Sequence, residues 1–450
     1  MVRINPREVA AQVLLEIEKD DAFSNLALKK ALKANGAMPE KDRAFVTEIV
    51  NGCLRNIIYI DYVINEFSSV KTEKLKPWIL AVMRISVYQL IFMNVPQSAA
   101  IDEAVKLTKA KGLGALSGFV NGVLRSIARG YESVKLPDRE KSFAEYVSVK
   151  YSHPLWLVKM WISYYGEEFT ERLCMADTCS APVCASVNTI KNDSQSLIKA
   201  LEKEGMSVKR AKYAPNTVYI SKTGNISKSK AFNDGLFFVQ DESSAIAARV
   251  LAPEKGETVL DCCSAPGGKS MAMAMLMENS GKIVSRDIYE HKLDLINEAA
   301  QRLGVKIIET QLKDASSKYE EDCEGFDRVL IDAPCSGLGL LRKKADIRLK
   351  KNGNDIDALI ALQRKILESC CGYVKKGGYL LYSTCTLSKK ENIGNVKWLC
   401  ENFDFETVDI TKDLPENLKC DTAKDGYIEL YPSVHGTDGF FISKLRRKES

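Results

Sequence analysis

At 450 residues, 45% hydrophobic and 27% charged, the chain is long enough for about two to four domains and too apolar to be mainly disordered. A formal net charge of +5 permits a polyanionic partner without requiring one. Thirteen cysteines spread over this length, beside an N-terminus without an apolar signal core, read as reduced thiols of a cytoplasmic protein and not as a disulfide scaffold.

Residues 5–127 repeat apolar side chains at three- and four-residue intervals, predicting an all-α bundle. Asn5-Pro6-Arg7-Glu8 reads as an N-cap, a first-turn proline and a capping-box glutamate. Val9, Val13, Leu14 and Ile17 form one stripe, and Phe119, Val120, Val123, Leu124 and Ile127 another. Between them the longest apolar stretch, residues 78–95, is interrupted by Arg84, Gln89 and Asn94. It falls short of the roughly 18 uncharged residues of a membrane helix, so no membrane association is expected.

The charged, weakly periodic residues 130–150 mark a boundary. A small α+β region follows, with helical pattern to Asp177, β-prone runs at 183–187 and 218–220, and a helix at 194–204. From Phe237 onward buried strands at 258–262, 282–285, 305–308, 328–331, 379–382 and 439–443 alternate with amphipathic helices. That alternation predicts a mostly parallel, doubly wound α/β sheet with a ligand crevice at the strands' carboxyl ends. The expected domains are residues 1–135, 140–235 and 236–450.

The first strand of the last domain runs into Ser264-Ala265-Pro266-Gly267-Gly268-Lys269-Ser270, a glycine turn that lets backbone amides approach a ligand. A phosphate-binding loop is excluded, because its leading glycine would fall on Cys263. Asp287 follows the second strand about twenty residues later, where such folds bind ribose hydroxyls. Asp332-Ala333-Pro334-Cys335-Ser336-Gly337 and Tyr382-Ser383-Thr384-Cys385-Thr386 each deliver a cysteine to the carboxyl end of a core strand. An isolated buried cysteine is usually inert packing, but these two converge with Asp332 on one crevice. No metal site is expected: Cys174, Cys179 and Cys184 lack a nearby fourth ligand.

This combination resembles the S-adenosylmethionine-dependent RNA cytosine-C5 methyltransferases of the Nop2/Sun group, from Val239-Gln240-Asp241-Glu242-Ser243-Ser244 through Asp438-Gly439-Phe440-Phe441. The helical region resembles the RNA-binding NusB fold through Arg43-Ala44-Phe45-Val46, residues 97–105 and residues 119–125. The resemblance implies a Rossmann-like catalytic domain behind a NusB-like bundle and an α+β RNA-positioning region. It implies methyl transfer from S-adenosylmethionine to C5 of a cytosine in 16S ribosomal RNA, of the cytosine-967 class, with naked RNA or a small-subunit assembly intermediate as partner.

Carried over by position, Cys263, Ser264, Ala265, Pro266, Gly267, Gly268 and Lys269 would line the methionine part of the cofactor site. Asp287 would hold the ribose, Asp314 would sit by the adenine, and Asp332 would lie where cofactor and base meet. Cys385 matches the family's nucleophile and Cys335 its second cysteine. Relatives commonly have alanine at Ser264, and many carry His-Pro before the aspartate of Lys343-Lys344-Ala345-Asp346-Ile347-Arg348, a departure that bears on substrate contacts there.

The residue types fit the chemistry. C5 of cytosine is a weak nucleophile until a thiolate adds to C6 and makes C5 an enamine carbon. Asp332 can draw charge through the N3 edge. Cys335 is the candidate for assisting release of the C5 proton, and sequence does not separate a direct base from an indirect role. The target cytosine must be unpaired or extruded. The alternative is a noncatalytic RNA-binding assembly or antitermination factor that keeps the cofactor fold as scaffold.

Overall fold

The computed structural model describes residues 4–19, 22–418 and 420–449. It divides into two compact units: Met1–Ser180 with Leu341–Lys351, and Ala181–Leu340 with Asn352–Ser450.

The first unit is helical, with helices Pro6–Lys19, Ser24–Ala34, Glu40–Arg55, Ile57–Phe67, Pro77–Phe92, Gln97–Ala110, Ser117–Gly130, Phe143–Lys150, Leu155–Tyr165 and Glu167–Asp177. Asn5 caps the first of these by accepting from the Arg7 amide at 3.0 Å, but Glu8 is 3.9 Å from Lys111, where the sequence pattern placed it in a capping box. Helix Pro77–Phe92 is apolar around almost its whole circumference and is buried from Trp78 to Leu90, as a helix with no polar face must be. Its polar interruptions are buried with partners. Arg84 donates to both oxygens of Asp61 at 2.8 and 2.7 Å and meets Glu18 at 3.1 Å. Gln89 accepts from Arg7 at 2.7 Å. Among the described residues no helix is long and apolar enough to cross a membrane.

The 130–150 stretch holds the helix Phe143–Lys150, and the helical unit continues to Ser180. The excursion Leu341–Lys351 also packs into this unit. There Asp346 accepts from the backbone amide and hydroxyl of Ser24 at 2.9 and 2.6 Å. Arg348 is fully buried, donates to the Ser152 carbonyl at 2.9 Å and lies 3.2 Å from the His153 ring nitrogens. Asp346 and Arg348, beside the departure from the family pattern, are therefore interior anchors, whereas Lys343 and Lys344 are exposed.

The second unit contains two sheets. Strands β1 (Val183–Val187), β2 (Ser207–Arg210), β3 (Thr217–Ser221) and β4 (Phe237–Val239) form an antiparallel sheet in the order β2-β3-β1-β4. Strands β5 (Thr258–Asp261), β6 (Lys282–Asp287), β7 (Ile308–Leu312), β8 (Phe326–Asp332), β9 (Val374–Thr384), β10 (Phe405–Thr407), β11 (Tyr427–Leu430) and β12 (Phe440–Arg447) form the second. Its order is β10-β12-β9-β8-β5-β6-β7, with β11 paired to β12. The run from β9 to β7 is parallel, while β10, β11 and β12 join antiparallel. Chain order reverses between β5 and β8, and an open α/β sheet binds its ligand at the carboxyl ends there.

The expected strand at 305–308 lies later, at Ile308–Leu312. The preceding helix, Glu290–Leu303, ends at Gly304 with φ of 76°, and the Val305 amide returns to the Ala300 carbonyl. Val305 is thereby used as the apolar contact of a helix stop. Polar contacts tie the small sheet to helices packed on the larger one: buried Glu242, at the start of helix Glu242–Leu251, accepts from the amides of Tyr213 and Ala214 and from the Tyr219 hydroxyl, and Arg302 donates to the Phe232 and Phe237 carbonyls.

Candidate active site

β5 ends at Asp261 and the chain turns through residues 262–267 into helix Gly268–Leu276. Gly267 sits at φ of 94°, a conformation that favours glycine, and a Cβ there would press on the Ile296 side chain at 3.2 Å. The Ser264 amide and hydroxyl donate to the Arg286 carbonyl at 2.8 and 3.0 Å, pinning the turn to β6.

A cleft opens over this turn, lined by Val239, Gln240, Asp241, Ser244, Asp261, Cys263, Ser264, Ala265, Pro266, Gly268, Lys269 and Asp332. The sequence-predicted residues Cys263 to Pro266, Gly268, Lys269 and Asp332 line it together, whereas Gly267 faces away against Ile296. Asp287 ends β6, is buried, accepts from the Tyr289 amide at 3.1 Å and lies 3.5 Å from Lys292. Asp314 is exposed two residues beyond β7 and accepts from the Ser316 amide at 2.8 Å. Neither aspartate lines the cleft itself.

At the reaction end, Lys269 Nζ meets Asp332 Oδ2 at 2.7 Å, and the Ser383 hydroxyl donates to Asp332 Oδ1 at 2.8 Å. Asp332 pairs with Ser383 in the parallel register of β8 and β9. The same register brings the following turns together: Cys335 Sγ and Cys385 Sγ are 3.3 Å apart, both partly exposed. Contact with Cys385, then burial, pushes the Cys335 thiol well up, favouring its protonated form. All thirteen cysteines are free, and among the described residues no cluster of three or more His, Cys, Asp or Glu side chains is suited to a metal ion.

Sequence reasoning assigned no role to Gln240, Asp241, Ser244 or Asp261, although the first three lie in the string that carried the family resemblance. Asp261 is fully buried and accepts from Ser270 at 2.6 Å through Oδ2, while Oδ1 has no hydrogen-bond partner. Gln240 Nε2 is likewise buried and unsatisfied. Burial pushes the Asp261 carboxyl up to about 7. An orphaned acceptor and an orphaned donor at the walls of one cleft suit a ligand carrying both amino and carboxylate groups, as S-adenosylmethionine does.

The 16S rRNA methyltransferase RsmB/F family matches residues 248–446, the NusB family residues 4–129, and the ferredoxin-like domain of RsmF/B-like methyltransferases residues 153–227. The probable ribosomal RNA small subunit methyltransferase B of Bacillus subtilis is 40% identical, covering 100% of both chains. The ribosomal RNA small subunit methyltransferase B of Shigella sonnei is 30% identical over 99% of each. The crystal structure of PH0851 aligns over 99% of each chain with a TM-score of 0.81 and 30% identity. With its helical NusB domain, its small antiparallel sheet and its mixed α/β sheet in that order, the chain belongs to the S-adenosylmethionine-dependent RsmB/F family of 16S rRNA methyltransferases.

Proposed function

We propose that this protein methylates C5 of a cytosine in 16S ribosomal RNA, of the cytosine-967 class, through a covalent adduct between Cys385 and C6 of the base. The observation that carries this reading is the 3.3 Å approach of the two sulfurs beside the Lys269–Asp332 pair. We retain residues 1–135 and 140–235 as RNA-positioning regions, residues 236–450 as the catalytic domain, and the cytoplasm as the compartment in which thirteen free thiols persist.

The cleft residues Cys263 to Pro266, Gly268, Lys269 and Asp332 would hold the cofactor, with Asp261 Oδ1 as acceptor for its amino group and Asp287 and Asp314 toward the ribose and adenine. When bound, S-adenosylmethionine supplies an electrophilic methyl group on a sulfonium centre. Cys385 attacks C6 as thiolate, which places negative charge on the ring. The Lys269–Asp332 pair, oriented by Ser383, meets the N3 edge, and a proton passed from it to N3 neutralises that charge. After C5 has gained its methyl, its proton leaves and the C6–sulfur bond breaks, returning the electron pair to Cys385. Cys385, which matches the family's nucleophile, is assigned the attack, and Cys335, 3.3 Å from it, is assigned assistance of proton release.

The test pairs two variants. Cys385→Ala is expected to bind S-adenosylmethionine by calorimetry yet lose turnover by about a thousandfold or more. Cys335→Ala is expected to accumulate protein cross-linked to RNA on a denaturing gel. Normal turnover by Cys385→Ala would overturn the assigned nucleophile. Bisulfite sequencing of 16S RNA from cells lacking the protein identifies the cytosine by the mark that disappears.

A further inference from the structure

Six residues past Cys385, Glu391 is fully buried, and the reaction above gives it no task. Its Oε1 accepts from the Ser336 amide at 2.9 Å and from Gln363 Nε2 at 3.0 Å, and its Oε2 accepts from the Ser336 hydroxyl at 2.6 Å. Ser336 directly follows Cys335, and its hydroxyl is also 2.6 Å from that of Thr386, which directly follows Cys385. Gln363 simultaneously donates to the Pro334 carbonyl at 2.9 Å. The neighbouring Asn392 accepts from the Thr384 hydroxyl at 2.6 Å and donates to the Thr386 carbonyl at 3.0 Å. The residues on both sides of both cysteines are thus held by one buried network centred on Glu391.

We propose that Glu391 is a positioning residue: its carboxylate ties the turn carrying Cys335 to the turn carrying Cys385 and so sets the separation and relative aim of the two sulfurs. Four donors reach this side chain, the longest being the Thr386 hydroxyl at 3.5 Å, and a carboxylate, which only accepts, satisfies all of them. A glutamine can reproduce the set, since its oxygen accepts from the Ser336 amide and Gln363 while its amide donates to the rotatable Ser336 hydroxyl. An alanine leaves the donors buried and unpaired, freeing the turns to shift. The inference rests on the proposed reaction only where turnover is read.

The full-length chain, without RNA or cofactor, is treated with dibromobimane, which forms one thioether with each of two neighbouring sulfurs and releases two bromides. Mass spectrometry measures the bridged Cys335–Cys385 peptide, with Cys335→Ala as blank. Glu391→Ala is expected to slow bridging about tenfold and to lower kcat about a hundredfold with the RNA KM unchanged within about twofold, because small misplacement of reacting atoms costs rate and not binding. Glu391→Gln is expected to stay within about threefold of the parent on both readouts. Unchanged bridging in Glu391→Ala overturns the proposal, as does a KM rise at constant kcat or a Gln variant as impaired as Ala, which would assign the role to charge. Slowed bridging with undiminished kcat supports the positioning role and counts against the cysteine mechanism. Should Glu391→Ala fail to fold, Ser336→Ala removes only the hydroxyl links, and bridging at the parent rate in that variant also overturns the proposal.

Discussion

Two fully buried carboxylates, Asp177 in the helical unit and Glu391 in the catalytic unit, meet opposite fates. Neither oxygen of Asp177 has a hydrogen-bond partner, and His153 Nε2 is 3.6 Å away. Burial pushes its carboxyl up to about 7 against the pull of Arg348 and Arg342. Glu391 has neutral donors converging on both oxygens. Asp261 stands between the two, with one oxygen bonded, the other buried without a partner, and a carboxyl also pushed up to about 7. Burial alone makes a carboxyl group keep its proton, whereas burial with converging donors makes it a geometric fixture. A half-satisfied carboxyl at a cleft wall is left for a ligand to complete.

That contrast can be broken most severely at Arg348. Arg348→Met removes the buried cation beside Asp177 and is expected to cost the helical unit about 3–5 kcal/mol. Denaturant unfolding followed through Trp161, whose ring centroid lies 5.8 Å from that of His153, measures it. Glu391→Ala strips a carboxylate from neutral donors and is expected to cost the catalytic unit about 1–3 kcal/mol, so equal losses would erase the distinction.

The next test is pH. Because Asp177 is raised in the folded state, its contribution is full below the unfolded value of about 4 and is lost as pH rises to about 7. Burial, then Arg348, holds His153 well below its ordinary value, so its contribution is present above about 6.5 and is lost on acidification. Just below about pH 6.5 the two slopes oppose, so the helical unit's stability should vary less there than either group alone would make it. Asp177→Asn leaves His153 unopposed, and stability should then fall by about 1.4 kcal/mol per pH unit below about 6.5. A flat profile in that variant would refute the pairing.

The mildest test concerns Asp261. If its bare oxygen receives the cofactor's amino group, affinity for S-adenosylmethionine should weaken as pH falls below about 7, by at most about tenfold per unit, and Asp261→Asn should abolish that dependence. Calorimetry in buffers of different ionisation enthalpy reads the accompanying proton release directly.

Most of the architecture was legible in the sequence because its signals are local. Helix Pro6–Lys19 follows from its three- and four-residue apolar spacing and strand β1 from its β-prone run, and the turn at 262–267 and the two cysteine turns are contiguous strings at strand ends. Short strands β2, β4, β10 and β11 escaped, because three or four residues give little alternation and their identity comes from the strand they pair with. Asp261 was hidden inside an apolar strand run. Glu391 was hidden in a polar loop, since its partner Ser336 lies 55 residues away and only the fold makes them neighbours. Arg348 stood in a segment read only for its bearing on substrate contacts, and its burial depends on residues nearly 200 positions earlier.

The excursion Leu341–Lys351 sets a rule for anyone dissecting this molecule. A fragment ending at Ser180 would lack Asp346 and Arg348, leaving Ser24 and Asp177 without them, while a fragment starting at Ala181 would carry that segment with Ala345 and Ile347 stripped of their burial. Neither cut reproduces a natural module. Borrowing the helical part for a chimera would require splicing those eleven residues back onto it, so this border is one that recombination crosses only at a cost.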